Sequence, residues 1–184
     1  MAPRSLVGPL VAITAFALVL ALHNERTLQA RAASRPLPAA GTPALTLRNA
    51  APSLEALARG VLDGLSRGDT RAMAALAVTR EEYRDVLFPG MPADQRAGAD
   101  FYYDNMAAGS WKDLGRTVGE LGGKAIELRS VQTDPKETER RGDAILHRGI
   151  TLRVRVEGQE RSLVLLGGVV ELAGQFKVIR YRRP

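Results

Sequence analysis

"AILHRGITLRVRVEGQERSLVLLGGVVELAGQFKVIRYR" runs from Ala144 to Arg182, and its period decides the fold. Apolar residues alternate with polar ones over most of its length, the pattern of strands that lay one face on a core. Two turn signals interrupt it. The "EGQE" segment offers Gly158-Gln159 as a two-residue hairpin loop, and Ala173-Gly174 offers a second. The stretch therefore predicts three strands, "AILHRGITLRVRV", "RSLVLLGGVVEL" and "QFKVIRYR". A fourth, "KAIELRSVQ", precedes them across the charged loop "TDPKETERRGD" from Thr133 to Asp143.

Counting pairs outward from a Gly158-Gln159 loop sets Val156 opposite Arg161, Val154 opposite Leu163, Leu152 opposite Leu165 and Ile150 opposite Gly167. That face is apolar and is expected to take a helix. The other face sets Arg153 opposite Val164, Thr151 opposite Leu166, Gly149 opposite Gly168 and His147 opposite Val170. Gly149, Gly167 and Gly168 read as a device for bending the sheet. The second face, with His147, Val164, Leu166, Val170 and Ile179, is more apolar than exposure requires. The expected cover is a second copy of the chain, as a homodimer.

Upstream the period becomes helical. Leu54, Leu57, Ala58, Val61, Leu62 and Leu65 recur at spacings of three and four behind the cap residue Ser53, and Gly68 ends the run. A short second helix is expected from Asp69 or Thr70. "TREEY" pairs Thr79 with Glu82 as a capping box, and "FPGMP" ends the helix that the box opens. A longer helix is expected from about Ala99 to Leu121, with Tyr103, Ala107, Trp111, Leu114, Val118 and Leu121 on its buried side and Gly122-Gly123 closing it. Helices followed by an antiparallel meander make an α+β domain, expected over residues 53–184.

The 184 residues allow one domain and a leader. The absence of cysteine excludes disulfides and thiolate metal sites, and two histidines, His23 and His147, give little material for a histidine metal site or a serine triad. No metal or cofactor is expected. The net charge of +6 is concentrated in residues 1–50, which carry +4, and no basic helix or lysine-rich run lies beyond them. Nucleic acid is therefore not the expected partner.

"SLVGPLVAITAFALVLAL", from Ser5 to Leu22, holds no ionisable group and lies just after Arg4. It reads as an N-terminal hydrophobic helix, a signal anchor within residues 1–28, with cleavage near Ala32 as the alternative. The domain is then expected in the periplasm on the inner membrane, or exported if cleaved. Residues 29–52, rich in alanine and proline, read as a linker.

The opening "LEALARGVLDGLSRGDTRAMAALAV", the long helix from Phe101 and the closing "GGVVELAGQFKVIRYR" together resemble the nuclear transport factor 2-like superfamily, also called SnoaL-like or cystatin-like. The resemblance covers about residues 53–183. It implies N-terminal helices packed on a strongly bent, cone-like four-stranded antiparallel sheet, with a pocket between the long helix and the concave face. It also implies a choice of roles, since similar proteins are enzymes, ligand binders or assembly modules.

In such a cone, acid-base chemistry needs a carboxylate inside, and the long helix offers Asp100 and Asp104. The plainer reading is that both complement the helix N-terminus. Tyr103, Trp111, Arg148, Ile150 and Val178 are the expected pocket lining; Arg148 reads either as a partner for an acidic ligand group or, more simply, as a sheet-edge residue that reaches water. The residues favour a non-enzymatic, membrane-anchored or exported binding or assembly module. The alternative is a pocket enzyme of isomerase, cyclase or hydrolase type using Asp100 or Asp104.

Overall fold

A computed structural model describes residues 45–89 and 98–184. The apolar stretch Ser5–Leu22, most of the expected linker and part of "FPGMP" lie outside the described residues. Among the described residues no helix is long and apolar enough to cross a membrane. The compact unit starts at Leu45, ahead of the expected boundary at residue 53, because Leu47 and Ala51 are buried in it.

Helix α1 (Leu54–Ser66) starts where Ser53 Oγ accepts the amide of Ala56 at 3.0 Å, and it buries Leu57, Ala58, Val61, Leu62 and Leu65. Gly64 lets α2 (Thr70–Ala75) come close: a Cβ there would lie 2.8 Å from Met73 Cγ. Helix α3 (Arg80–Glu82) opens with the predicted capping box and continues as one π-helical turn, Tyr83–Leu87. Helix α4 (Ala99–Leu121) has the predicted bounds, but its buried side is rotated from the expected one. Ser110 and Thr117 are buried beside Leu114 and Leu121, while Trp111 keeps 40 % exposure. Both polar side chains are satisfied: Ser110 Oγ accepts the Tyr181 amide at 2.9 Å, and Thr117 Oγ1 donates to the Asp113 carbonyl at 2.9 Å. An apolar wheel does not count polar groups that find partners inside.

The fold is α+β, with the helices followed by two antiparallel sheets in place of one sheet of four long strands. The strands are β1 (Ile126–Gln132), β2 (Thr138–Arg141), β3 (Ala144–His147), β4 (Thr151–Val156), β5 (Gln159–Leu163), β6 (Leu166–Leu172) and β7 (Gln175–Tyr181). One sheet has the order β1-β4-β5 and the other β2-β3-β6-β7. Two predicted strands have thus broken, one at Arg148-Gly149-Ile150 and one at Val164-Leu165. At Gly149 the break needs glycine, since φ is +60° and a Cβ would approach Glu137 Cδ at 3.0 Å.

The breaks change the register. The β4–β5 turn is Glu157-Gly158, both at positive φ, so Val156 pairs with Gln159, Val154 with Arg161 and Leu152 with Leu163. Each partner moves by two, which leaves every side chain on its predicted face. Beyond the bend, the β5–β6 side runs one residue longer than the β3–β4 side, and His147 pairs with Val169 instead of Val170. Gly149 and Gly168 do not face each other. Gly168 pairs with Arg180 across β6–β7, where the register shifts on either side of Gly168 and makes a bulge.

Two clusters form the core. The larger joins α1, Met73, Leu114 and Leu121 to Ile150, Leu152, Val154, Val156, Leu163, Leu165, Val169, Val178 and Tyr181. The smaller covers the other face of the four-stranded sheet, with Leu47, Val78, Val86 and Leu87 against Ala144, Leu146, Val170 and Leu172. This is the face for which a second copy was expected. Over Val170 the cover is the chain's own α3 segment, and Leu166 lies in the main core at 1 % exposure. The edge of β7 is closed as well: Ala51 exchanges backbone hydrogen bonds with Phe176, and Val78 and Leu76 bond to Val178.

Candidate ligand cavity

A partly open cavity of about 240 Å³ lies on the smaller cluster's side of the four-stranded sheet. Its apolar lining is Tyr83, Leu87 and Phe88 from the π-helical turn and its end, Met106 from α4, Leu146 from β3 and Ile179 from β7. The chain reaches this arrangement because Thr79 and Glu82 start α3 across the sheet, and the π turn then carries Tyr83, Leu87 and Phe88 over it. The rings of Tyr83 and Phe88 lie 5.4 Å apart, an aromatic contact that stiffens this wall.

Gly168 lines the cavity and accounts for part of its room. A Cβ there would meet only Ile179, at 3.7 Å, and the residue has no positive φ, so neither crowding nor backbone conformation requires glycine. Gly167 also lines the cavity but differs, because a Cβ there would run into the Arg182 side chain. The double glycine therefore divides its work between close packing at Gly167 and open space at Gly168.

Three guanidinium groups complete the described lining: Arg141 from β2, Arg148 after β3 and Arg180 from β7. Arg141 binds Glu139 at 2.7 Å, and Arg148 reaches the same carboxylate at 3.3 Å. The hydrogen bond from Arg141 holds the Glu139 carboxyl below its ordinary range. Arg180 makes no side-chain hydrogen bond or ion pair to another described residue. Burial pushes the phenol of Tyr83 up from its ordinary value, so it stays protonated and offers an O–H at neutral pH.

The expected site residues are dispersed. Of Tyr103, Trp111, Arg148, Ile150 and Val178, only Arg148 lines this cavity; Ile150 and Val178 are fully buried in the main core. Trp111, midway along α4, is partly exposed, its ring 6.2 Å from that of Tyr181. Tyr103 packs beside Tyr83 at 5.5 Å, under the Arg80 guanidinium at 5.3 Å. Asp100 and Asp104 are surface residues, 60 % and 56 % exposed in their side chains, and both face Arg80, at 3.8 and 2.5 Å. His147 lies on the main-core face of the sheet, its Nε2 2.8 Å from Glu171 and its ring stacked on Phe176. Val164 is the one residue of the expected dimer face that is well exposed, and Ile179 belongs to the cavity.

Sequence reading passed over Tyr83, Leu87, Phe88, Met106 and Arg141 as site residues. Arg141 stood in a segment read as a loop, whereas Thr138–Arg141 alternates and pairs with β3. Two other clefts, of about 240 and 320 Å³, have mainly polar and charged walls that include Glu82 and Asp85 in one and Asp63 and Glu127 in the other. No protein-family model matches the chain, and neither a curated protein nor a solved structure does.

Proposed function

We propose that this protein is a non-enzymatic binding module of nuclear transport factor 2-like design, with the cavity between the π-helical turn and the four-stranded sheet holding a small ligand. The observation that supports this reading is the chemistry of the lining. Among the described lining residues, six apolar or aromatic side chains make the body of the cavity, and the charged groups are arginines. Guanidinium does not give up its proton at physiological pH, so these groups bind and orient and do not act as acid or base. The carboxylates expected to serve an enzyme, Asp100 and Asp104, are engaged with Arg80 at the surface. The apolar Ser5–Leu22 stretch would tether the module to the inner membrane with the domain outside the cytoplasm.

The test uses the full chain in amphipol, with methionine methyl groups labelled for NMR and the Met106 signal assigned by its loss in Met106→Leu. Uncharged 1-hexanol should shift the Met106 signal, which borders the cavity, and leave that of buried Met73 in place. Gly168→Leu, which fills the room left at the bulge, should abolish the shift. A Met106 signal that ignores hexanol, or a shift that persists in a folded Gly168→Leu, sinks the reading.

A further inference from the structure

We infer that the ligand of this cavity is an organic anion with a short apolar body, a small carboxylate of the fatty-acid type, held by Arg180 and Arg148. The inference rests on the binding reading above and adds the chemical class. Size sets the first limit, since about 240 Å³ admits a small acyl or aromatic body and not a folded peptide or a nucleotide with its sugar.

Charge sets the second. Among the described lining residues, Arg141 grips the Glu139 carboxylate at 2.7 and 3.2 Å and Arg148 touches it at 3.3 Å. The second contact is longer, and the Arg148 side chain is 52 % exposed, which leaves Arg148 free to turn toward a ligand. Arg180 has no side-chain partner among the described residues. An arginine with no described partner beside an apolar hollow favours a carboxylate, whose two oxygens match the planar fork of donors.

Geometry joins the two. Arg180 pairs across the strands with Gly168, the position where a missing side chain opens the cavity, and its neighbour Ile179 forms part of the apolar wall. A head group held at Arg180 thus has its tail beside Ile179, Leu146 and Met106. The Tyr83 hydroxyl is a further donor within the same lining.

The experiment compares hexanoate, 1-hexanol and hexylammonium, which share a body and differ in the head group, by titrating the Met106 methyl signal of the full chain. Hexanoate should bind at least about ten-fold more tightly than hexanol, the scale of one charge-assisted hydrogen bond, and hexylammonium more weakly than either. Arg180→Gln should bring hexanoate to the level of hexanol, while Arg180→Lys keeps part of the preference. Equal affinity for the three head groups overturns the ligand class and leaves the cavity standing. Failure of all three to shift Met106 overturns the binding reading with it. Arg180 is exposed, so a loss of folding is not expected, and the melting temperature of each variant checks it.

Discussion

The ammonium of Lys177 lies 2.7 Å from the carboxylate of Glu82, and both side chains are shut away from water, at 1 % and 8 % exposure. The same carboxylate accepts the amides of Arg48 at 2.7 Å and Thr79 at 2.8 Å. One side chain therefore ties the start of the compact unit, the head of α3 and the sheet's last strand. This tie places the π turn, and with it Tyr83, Leu87 and Phe88, over the cavity.

Removing one partner of a buried pair leaves the other charged and unpaired, a cost of about 3–5 kcal/mol. Losing a helix cap alone costs about 1 kcal/mol. Lys177→Ala should therefore destabilise the protein several times more than Thr79→Ala, as read from urea midpoints at constant slope. Equal effects would mean that Glu82 acts only as a cap residue.

Tyr181 is buried, and its hydroxyl donates to the Met73 carbonyl at 2.8 Å. Burial raises its pKa well above the ordinary tyrosine value. The unfolded chain releases this proton near pH 10 and the folded chain holds it, so stability is unaffected below about pH 10 and falls as pH rises above it. Tyr181→Phe should remove part of that alkaline slope. It should also cost about 1 kcal/mol at neutral pH, the net worth of one hydrogen bond, since the Met73 carbonyl keeps the Leu76 amide at 3.2 Å. Chemical denaturation at several pH values measures both.

The glycines of the bend should separate sharply. Gly149→Ala forces a side chain into a left-handed conformation and should cost about 1–2 kcal/mol. Gly168→Ala meets Ile179 at an ordinary contact distance and should leave the melting temperature nearly unchanged, while reducing the cavity. A large loss at Gly168 would assign that glycine to the fold and remove one support for the cavity.

Asp100→Asn and Asp104→Asn should change neither the melting temperature nor the hexanol response of Met106. Both carboxylates pair with an exposed arginine in water, where screening leaves such pairs little weight. A lost response in either variant would return these residues to the functional site.

Local pattern made much of this structure legible. The cap at Ser53, the Thr79–Glu82 box, the span of α4 and the turn at Ala173-Gly174 are encoded within a few residues, and each stands as read. Burial of Ile150, Leu152, Val154, Val156, Leu163 and Leu165 was equally legible, because a two-residue period survives a register slip of two. The site was not. Arg141, Arg148 and Arg180 come from three separate places in the chain and meet only through the pairing of β2, β3, β6 and β7.

The sequence by itself determined the α+β order, the ends of the helices, the turn at Ala173-Gly174 and the buried face from Ile150 to Leu165, because hydrophobic period, caps and turn residues act over neighbouring positions. The tertiary structure alone decided what covers the sheet's second face and which arginines share a cavity. Those outcomes depend on one residue of register gained across the Gly149 bend, on the bulge at Gly168 and on a buried Lys177–Glu82 contact between distant segments. A periodic pattern carries no record of such long-range distances.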